Sequence, residues 1–283
     1  MLLTSRLNNE LRMRLRVSDI MRYKTIRGFV KGKRRYSWLY DEYDEKKPVL
    51  VFVQGIVTLN DTAHLHALFD EYFNVFVIEP IQNHYERIFV YEHYDEVVAF
   101  YLTIAQLTLP EDAKIVGFIG FSFGGAIAYG MAAEWEKMTG EKLPVIMGDT
   151  TLPTAGKRAP QEVKKTTVQD LRKMTEAFEV KEHEYTDEEL QIFANLNNMV
   201  STLNSQNSLA PYDGEVIFLN AHLNTTEKMM REKMDALHKN APQAEIHDFV
   251  DYSHGSIFVK EEMHSFYRRI AQKLLGKGVD FGS

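Results

Sequence analysis

The chain has 283 residues, of which 45% are hydrophobic and 26% charged, so it can bury the core of one large α/β domain. It contains no cysteine, which excludes disulfides, thiolate metal sites and a cysteine nucleophile and leaves serine as the candidate for covalent catalysis. The net charge is -7, and the sequence has neither an apolar run of about 18 residues nor a signal peptide's apolar region, so we expect a cytoplasmic protein without a membrane partner.

The N-terminal segment is strongly basic. Residues 1–35 hold eleven lysines and arginines but only two acidic residues. Leucines recur every fourth residue from Leu3 to Leu15, which predicts an amphipathic helix over residues 2–14, followed by two short helical segments. Because the basic residues alternate with the leucines and aromatic residues are few, a solvated helix face is favoured over a nucleic-acid surface.

From residue 36 the pattern changes to strands that alternate with helices. The predicted strands are 36–43, 49–53, 73–78, 114–119, 144–147, 215–219 and 245–250. The predicted helices are 61–72, 93–109, one that ends near 138, 226–239 and 260–275. This alternation is typical of a parallel sheet covered by helices on both faces.

The most informative motif is Gly120-Phe121-Ser122-Phe123-Gly124, which interrupts an apolar run and is followed by helical spacing. It predicts a nucleophile elbow, a sharp turn from strand to helix with the serine at its tip. Small residues two positions before and after the serine avoid collisions across such a turn. A chance match is expected about 0.1 times in a chain of this length, and the flanking strand and helix count against it. Ser122 is therefore the predicted nucleophile.

After the elbow, the strand alternation stops over residues 154–211. Two helical patterns fill this stretch, and each begins with the residues of a capping box, Thr167 with Asp170 and Thr186 with Glu189. A helical insertion here would lie above the carboxyl ends of the strands, where open α/β sheets bind ligands. We interpret it as a lid, with a structural subdomain as the alternative.

A serine nucleophile needs a base within hydrogen-bond reach and a carboxylate that orients the base. In this chain order the base is expected in a loop after the last strand, which indicates His254, with Gly255 freeing the backbone beside it. The loop after the strand that follows the elbow offers Asp149 as the acid, whereas the loop after the next strand has no carboxylate before Glu227. A turn or capping role is the alternative for Asp149, and Asp251 is the reserve candidate.

The tetrahedral intermediate of acyl transfer needs two backbone N–H donors. These are normally the amide after the nucleophile and one from the loop after the first core strand, which indicates Phe123 and Ile56. No metal site is predicted, because the pair His64 and His66 has no carboxylate motif beside it.

Together these features resemble the thioesterase domains that end nonribosomal peptide and polyketide synthetases, within the α/β-hydrolase fold. The resemblance covers residues 36–275 and is carried by the ten residues that begin at Gly120, by Asp149 after the next strand, by the helical insertion and by Ser253-His254-Gly255. It implies an α/β-hydrolase fold: a mostly parallel central sheet with helices on both faces and a helical lid at about 154–211.

The N-terminal segment resembles the last helices of a peptidyl carrier domain, where a short helix leads into a Pro-Thr-Ile turn, with Lys24 in place of the proline. This implies a carrier remnant at residues 1–32 and a thioesterase domain at 33–283. The carrier's phosphopantetheine serine would precede Met1, so we expect a fragment of a longer synthetase. One departure from the family is Gly130, which stands where many relatives have glutamate.

The function implied by the resemblance is chain release in secondary-metabolite biosynthesis. An acyl or peptidyl chain would pass from the phosphopantetheine of an upstream carrier domain to the serine and leave by hydrolysis or macrocyclisation, with no cofactor bound by the domain itself. The alternatives are a free-standing type II proofreading thioesterase, a small-molecule serine esterase and a non-catalytic binding module of the same fold.

Overall fold

The computed structural model describes residues 43–55, 68–78, 93–153, 165–177, 186–206 and 208–276. The predictions that fall outside these ranges are the carrier remnant at 1–32, most of the strand at 36–43, the oxyanion donor Ile56, most of the helix at 61–72 with His64 and His66, and parts of the lid at about 154–211. In the described part of the chain, every helix is too short or too polar to cross a membrane.

Six strands of the described ranges form one sheet, and every neighbouring pair is parallel. They are β1 (Val49–Val53), β2 (Asn74–Ile78), β3 (Ile115–Phe121), β4 (Val145–Gly148), β5 (Val216–Leu223) and β6 (Glu245–Ser253). Their order is β2-β1-β3-β4-β5-β6. The predicted α/β fold with a parallel sheet is confirmed, and the apolar, buried sequences of the inner strands are what a sheet covered on both faces requires.

In the described residues, five helices lie between strands in sequence and two follow the last strand. They are α1 (Tyr94–Thr108), α2 (Phe123–Thr139), α3 (Val168–Ala177), α4 (Asp187–Gln206), α5 (Glu227–Asn240), α6 (Ser256–Val259) and α7 (His264–Leu274). Successive side chains of β1 point to opposite faces of the sheet. Val51 packs in one apolar cluster, with the buried residues of α1 and α2. Phe52 packs in a second apolar cluster, with the buried residues of α7. The sheet thus separates two apolar layers.

The sheet has a switch point at β1, because β2 lies on one side of it and β3 on the other. The carboxyl ends of the strands at such a switch point are where open α/β sheets bind ligands. The predicted elbow directly follows β3 and lies at this switch point.

The predicted helix at 260–275 differs from the structure at its start. Lys260 is extended and separates α6 from a 3-10 turn at Glu261–Met263, so the long helix begins only at His264. The short helix α6 begins where Ser253 and Ser256 cap each other, since the backbone N–H of each donates to the hydroxyl of the other at 2.7 and 3.2 Å. This reciprocal pair of serines is a helix-start signal that the sequence reading did not use.

Candidate active site

Ser122 occupies a strained turn between β3 and α2. Its backbone has φ +55° and ψ -125°, a sparsely populated conformation for a residue with a Cβ. Such a conformation costs on the order of 1–3 kcal/mol and persists only where the surroundings enforce it. One such restraint is the N–H of Ser122, which donates to the carbonyl oxygen of Gly148 at 2.8 Å and fastens the turn to β4.

The glycines around Ser122 are required because neighbouring atoms, mostly of the backbone, approach too closely for a side chain. A Cβ on Gly120 would lie 2.2 Å from the carbonyl oxygen of Gly124, and one on Gly124 would lie 2.3 Å from the carbonyl oxygen of Val53. A Cβ on Gly125 would lie 1.9 Å from the hydroxyl of Thr150. The spacing of small residues in the motif is thus a steric requirement of this turn.

The substitution Gly124→Ala is expected to lower the free energy of unfolding by about 2–3 kcal/mol, because β1 would have to shift to admit the methyl group. The matched control is Gly255→Ala, where an added Cβ meets nothing within 4 Å. The control should stay within about 0.5 kcal/mol of wild type. Urea unfolding followed by circular dichroism measures both. Equal stabilities for the two variants would contradict this account of the turn.

Gly255 also corrects one expectation. Its φ of -81° and ψ of -42° are ordinary helical values that any residue adopts. The prediction that a glycine is needed here to free the backbone beside the histidine is therefore wrong.

The structure brings Asp149 and His254 together across 105 residues of sequence. Nδ1 of His254 lies 2.6 Å from Oδ2 of Asp149. A carboxylate can only accept, so Nδ1 carries the proton and Nε2 is the nitrogen with the lone pair that a general base uses. The aspartate side chain is 7% exposed and the imidazole 48%, so the ring extends from a buried carboxylate toward the solvent.

The second oxygen of Asp149 is also fully engaged. Oδ1 accepts the backbone N–H of Ala221 at 3.2 Å and the ammonium of Lys233 at 2.5 Å. Burial acts to raise the pKa of Asp149, but the bonds and charges of His254 and Lys233 outweigh it and hold that pKa below its ordinary value of 3.8. The carboxylate is therefore charged at neutral pH.

The reserve candidate for the acid, Asp251, is exposed, and its backbone carbonyl oxygen lies 3.4 Å from Nζ of Lys260.

Lys233 is the residue that the sequence reading missed. It lies on the face of α5 that also carries Ala236, Leu237 and Asn240, at spacings of three, four and seven residues. A lysine on the buried face of an amphipathic helix is itself a signal, because its charge needs an anionic partner in the core.

Gly55, two residues after the end of β1, lies against the predicted nucleophile. A Cβ on Gly55 would be only 3.4 Å from Cβ of Ser122. Ile56, the predicted second oxyanion donor, follows directly in sequence but lies outside the described residues. Phe123, the predicted first donor, is the first residue of α2, where backbone N–H groups point toward the helix end.

Helix α4 reaches the wall of this site. The ring of Phe123 contacts the ring of Tyr94, with centroids 5.9 Å apart, and the hydroxyl of Tyr94 is hydrogen bonded to Oδ1 of Asn204. The helical content predicted for the insertion is present in α3 and α4, and Thr167 and Asp170 form the predicted capping box. The role of lid for about 154–211 stays a prediction.

Gly130 has a structural reason to differ from the family pattern. A Cβ here would lie 2.6 Å from Cγ2 of Val98 and 3.2 Å from Cδ2 of Leu209. Helix α1 thus packs so closely on α2 that a glutamate would not fit without moving it.

Comparisons with known proteins agree with this architecture. The family model described as Thioesterase domain matches residues 63–274, and no curated protein matches the sequence. The NocB thioesterase domain, in covalent complex with a fluorophosphonate nocardicin G analogue, is 18% identical and has a TM-score of 0.61 over 84% of this chain and 98% of its own. YbtT, a type II thioesterase from the yersiniabactin pathway, is 12% identical and has a TM-score of 0.60 over 84% of this chain and 97% of its own. A four-domain nonribosomal peptide synthetase bound to AMP and glycine is 15% identical and has a TM-score of 0.62 over 96% of this chain and 23% of its own. At these identities the structural matches show a shared fold.

Proposed function

The chain belongs to the thioesterase domain family, and from this premise we propose that it is a serine thioesterase that releases an acyl or peptidyl chain from carrier-bound phosphopantetheine. Ser122 is the nucleophile, His254 the general base and Asp149 the acid that orients it. The observation that carries the proposal is the 2.6 Å bond between His254 and the buried Asp149, at the same sheet edge as the strained serine.

In the first half-reaction, Oγ of Ser122 attacks the thioester carbonyl carbon while Nε2 of His254 takes the hydroxyl proton. The carboxylate of Asp149 stabilises the imidazolium that forms. The oxyanion is held by the backbone N–H of Phe123 and, as the second proposed donor, that of Ile56. Collapse of the intermediate breaks the carbon–sulfur bond, and the imidazolium returns its proton to the departing pantetheine thiolate.

The second half-reaction releases the acyl group from the serine ester. Attack by water, with His254 again as the base, yields a linear acid. Attack by an amine or hydroxyl of the same chain yields a ring. Exclusion of water by the proposed lid would favour the ring.

The proposed partner is an upstream carrier domain, with residues 1–32 as a remnant of its last helices. The match to the four-domain synthetase supports this, because it covers 96% of the chain whereas the match to the NocB domain covers 84%. A free-standing type II thioesterase is the second candidate. It is favoured by the similarity to YbtT, whose TM-score of 0.60 is close to the 0.61 of the NocB domain.

The experiment compares two substrates that share one acyl chain and differ in the leaving group. They are the hexanoyl thioester of pantetheine and the hexanoyl ester of nitrophenol. We expect kcat/KM for the thioester to exceed that for the ester by about tenfold or more, because binding of the pantetheine arm lowers the barrier at the distant carbonyl. A preference for the chemically more reactive nitrophenyl ester would instead indicate a small-molecule esterase.

A second comparison separates the two thioesterase candidates. Carrier domains are loaded with either an acetyl group or a peptide, and the products are identified by mass spectrometry. Release of the peptide, as a ring or as an acid heavier by one water, supports the terminal role. Release of acetyl groups alone supports the type II role.

A further inference from the structure

Lys233 is a buried charge that the proposed reaction does not use. Its side chain is 7% exposed, whereas its neighbours on α5, Glu232 and Asp235, face solvent. Its Nζ lies 2.5 Å from Oδ1 of Asp149. An ammonium is costly to bury unless it is paired, so this contact requires a charged carboxylate at position 149.

The contacts of Lys233 close a small ring around one oxygen of the aspartate. The backbone N–H of Ala221 donates to Oδ1, and Nζ of Lys233 donates both to Oδ1 and, at 3.2 Å, to the carbonyl oxygen of Ala221. Oδ1 is therefore held from two elements, β5 and α5. This leaves Oδ2 as the oxygen that faces His254, and the plane of the carboxylate cannot rotate without breaking two bonds.

We propose that Lys233 is a positioning residue for the proposed acid: its ammonium fixes Oδ1 of Asp149 so that Oδ2 is held against Nδ1 of His254. The inference rests on the proposed function, since it assigns a task to Lys233 only if Asp149 and His254 act in catalysis. The position of Lys233 on the side of Asp149 away from His254 makes it a support of the site and not a group that contacts substrate.

Other charged groups surround the ammonium. On β6, Asp248 pairs with His222 of β5 through a contact of 2.7 Å. Burial acts to raise the pKa of Asp248, but its bonds to His222 and Asn220 and, more weakly, the charge of Lys233 hold that pKa below its ordinary value. This second pair is half-exposed and bonded within itself, so it cannot replace the lysine at Asp149.

Loss of the ammonium would affect the base through its position. Without Lys233, Oδ1 of Asp149 keeps only the N–H of Ala221, and Oδ2 no longer holds the imidazole of His254 in one orientation. Because a misplaced base slows proton transfer but does not change how the substrate binds, kcat would fall while KM stays near its wild-type value.

The test uses Lys233→Met and Lys233→Arg, with Lys228→Met as the matched control because Lys228 is an exposed lysine on the same helix. Rates of hexanoyl N-acetylcysteamine thioester cleavage are measured against substrate concentration and expressed per active site titrated with a fluorophosphonate. For Lys233→Met we expect kcat to fall by about 10–100-fold while KM stays within about twofold of wild type. Lys233→Arg, which keeps the charge and the donors, should recover most of the wild-type kcat, and Lys228→Met should change neither quantity.

Titration per active site removes the effect of a smaller folded fraction. If Lys233→Met yields no folded protein, Lys233→Gln, which keeps a donor but loses the charge, is expected to show the same fall of kcat at an unchanged KM. A wild-type kcat in the neutral variant, or a rise of KM in place of the fall of kcat, would overturn the positioning role. Failure of the proposed function would give a different result. In that case Ser122→Ala would still cleave the thioester and would still react with the fluorophosphonate.

Discussion

Replacing Ser122 by alanine is expected to lower the rate of thioester cleavage by at least about a thousandfold, because no other group in the proposed mechanism forms the acyl-enzyme. Alanine keeps the Cβ that the strained turn already accommodates, so the fold should be retained. Steady-state kinetics with an acyl pantetheine measures the loss. Intact-protein mass spectrometry after treatment with a fluorophosphonate measures whether the variant can still be labelled.

The matched control for this variant is Ser265→Ala, which removes an exposed hydroxyl that contacts the carbonyl oxygen of Glu262. It should react and be labelled like wild type. Covalent labelling of Ser122→Ala, with its circular dichroism spectrum unchanged, would show that the nucleophile is another residue.

The substitution Asp149→Asn is expected to lower kcat by about four orders of magnitude, as in serine hydrolases where an amide replaces the triad acid. An amide leaves the imidazolium of His254 without a counter-charge and can present a donor where an acceptor is needed. It also leaves the ammonium of Lys233 buried without its anion. We therefore expect a loss of about 3–5 kcal/mol in the free energy of unfolding at pH 7, measured in urea.

This loss of stability should depend on pH in a defined direction. The pKa of Asp149 is lowered in the folded protein, so its stabilising contribution is fully present above the ordinary pKa of 3.8 and is lost as the pH falls through the folded value. The stability difference between wild type and Asp149→Asn should thus narrow below about pH 4. The control is Asp251→Asn, an exposed position, which should keep the rate and stability of wild type. Inactivity of Asp251→Asn beside an active Asp149→Asn would reassign the acid.

The alternation of elements was readable from the sequence because each signal was local. β1 was predicted with its observed bounds, and β3 was predicted from the apolar run that precedes the elbow. The glycines at 120 and 124 could be interpreted from spacing alone, since the turn they permit is made by neighbouring residues. The choice of Asp149 over Asp251 rested on strand order, and the structure places the former against His254.

The features that could not be read from the sequence are those made by contacts between distant elements. The pairing of Lys233 with Asp149 joins residues 84 positions apart, and periodicity alone could indicate only that the lysine lies on a buried face. The close approach of Val98 to Gly130 likewise depends on how α1 packs on α2. In both cases the sequence shows an unusual residue, a lysine on a buried helix face or a glycine inside a helix. It does not show which distant residue contacts it.

The proposed base, His254, directly follows β6, the strand at the end of the described sheet. In that sheet β6 has only β5 beside it, and all of its residues are at least partly exposed, unlike those of β1 and β4. Strands of this kind open in local fluctuations at a lower free-energy cost than the centre of a sheet. Fraying of β6 would thus displace the imidazole of His254 while the rest of the domain stays folded, so the proposed active site should be lost at a lower free-energy cost than the fold itself.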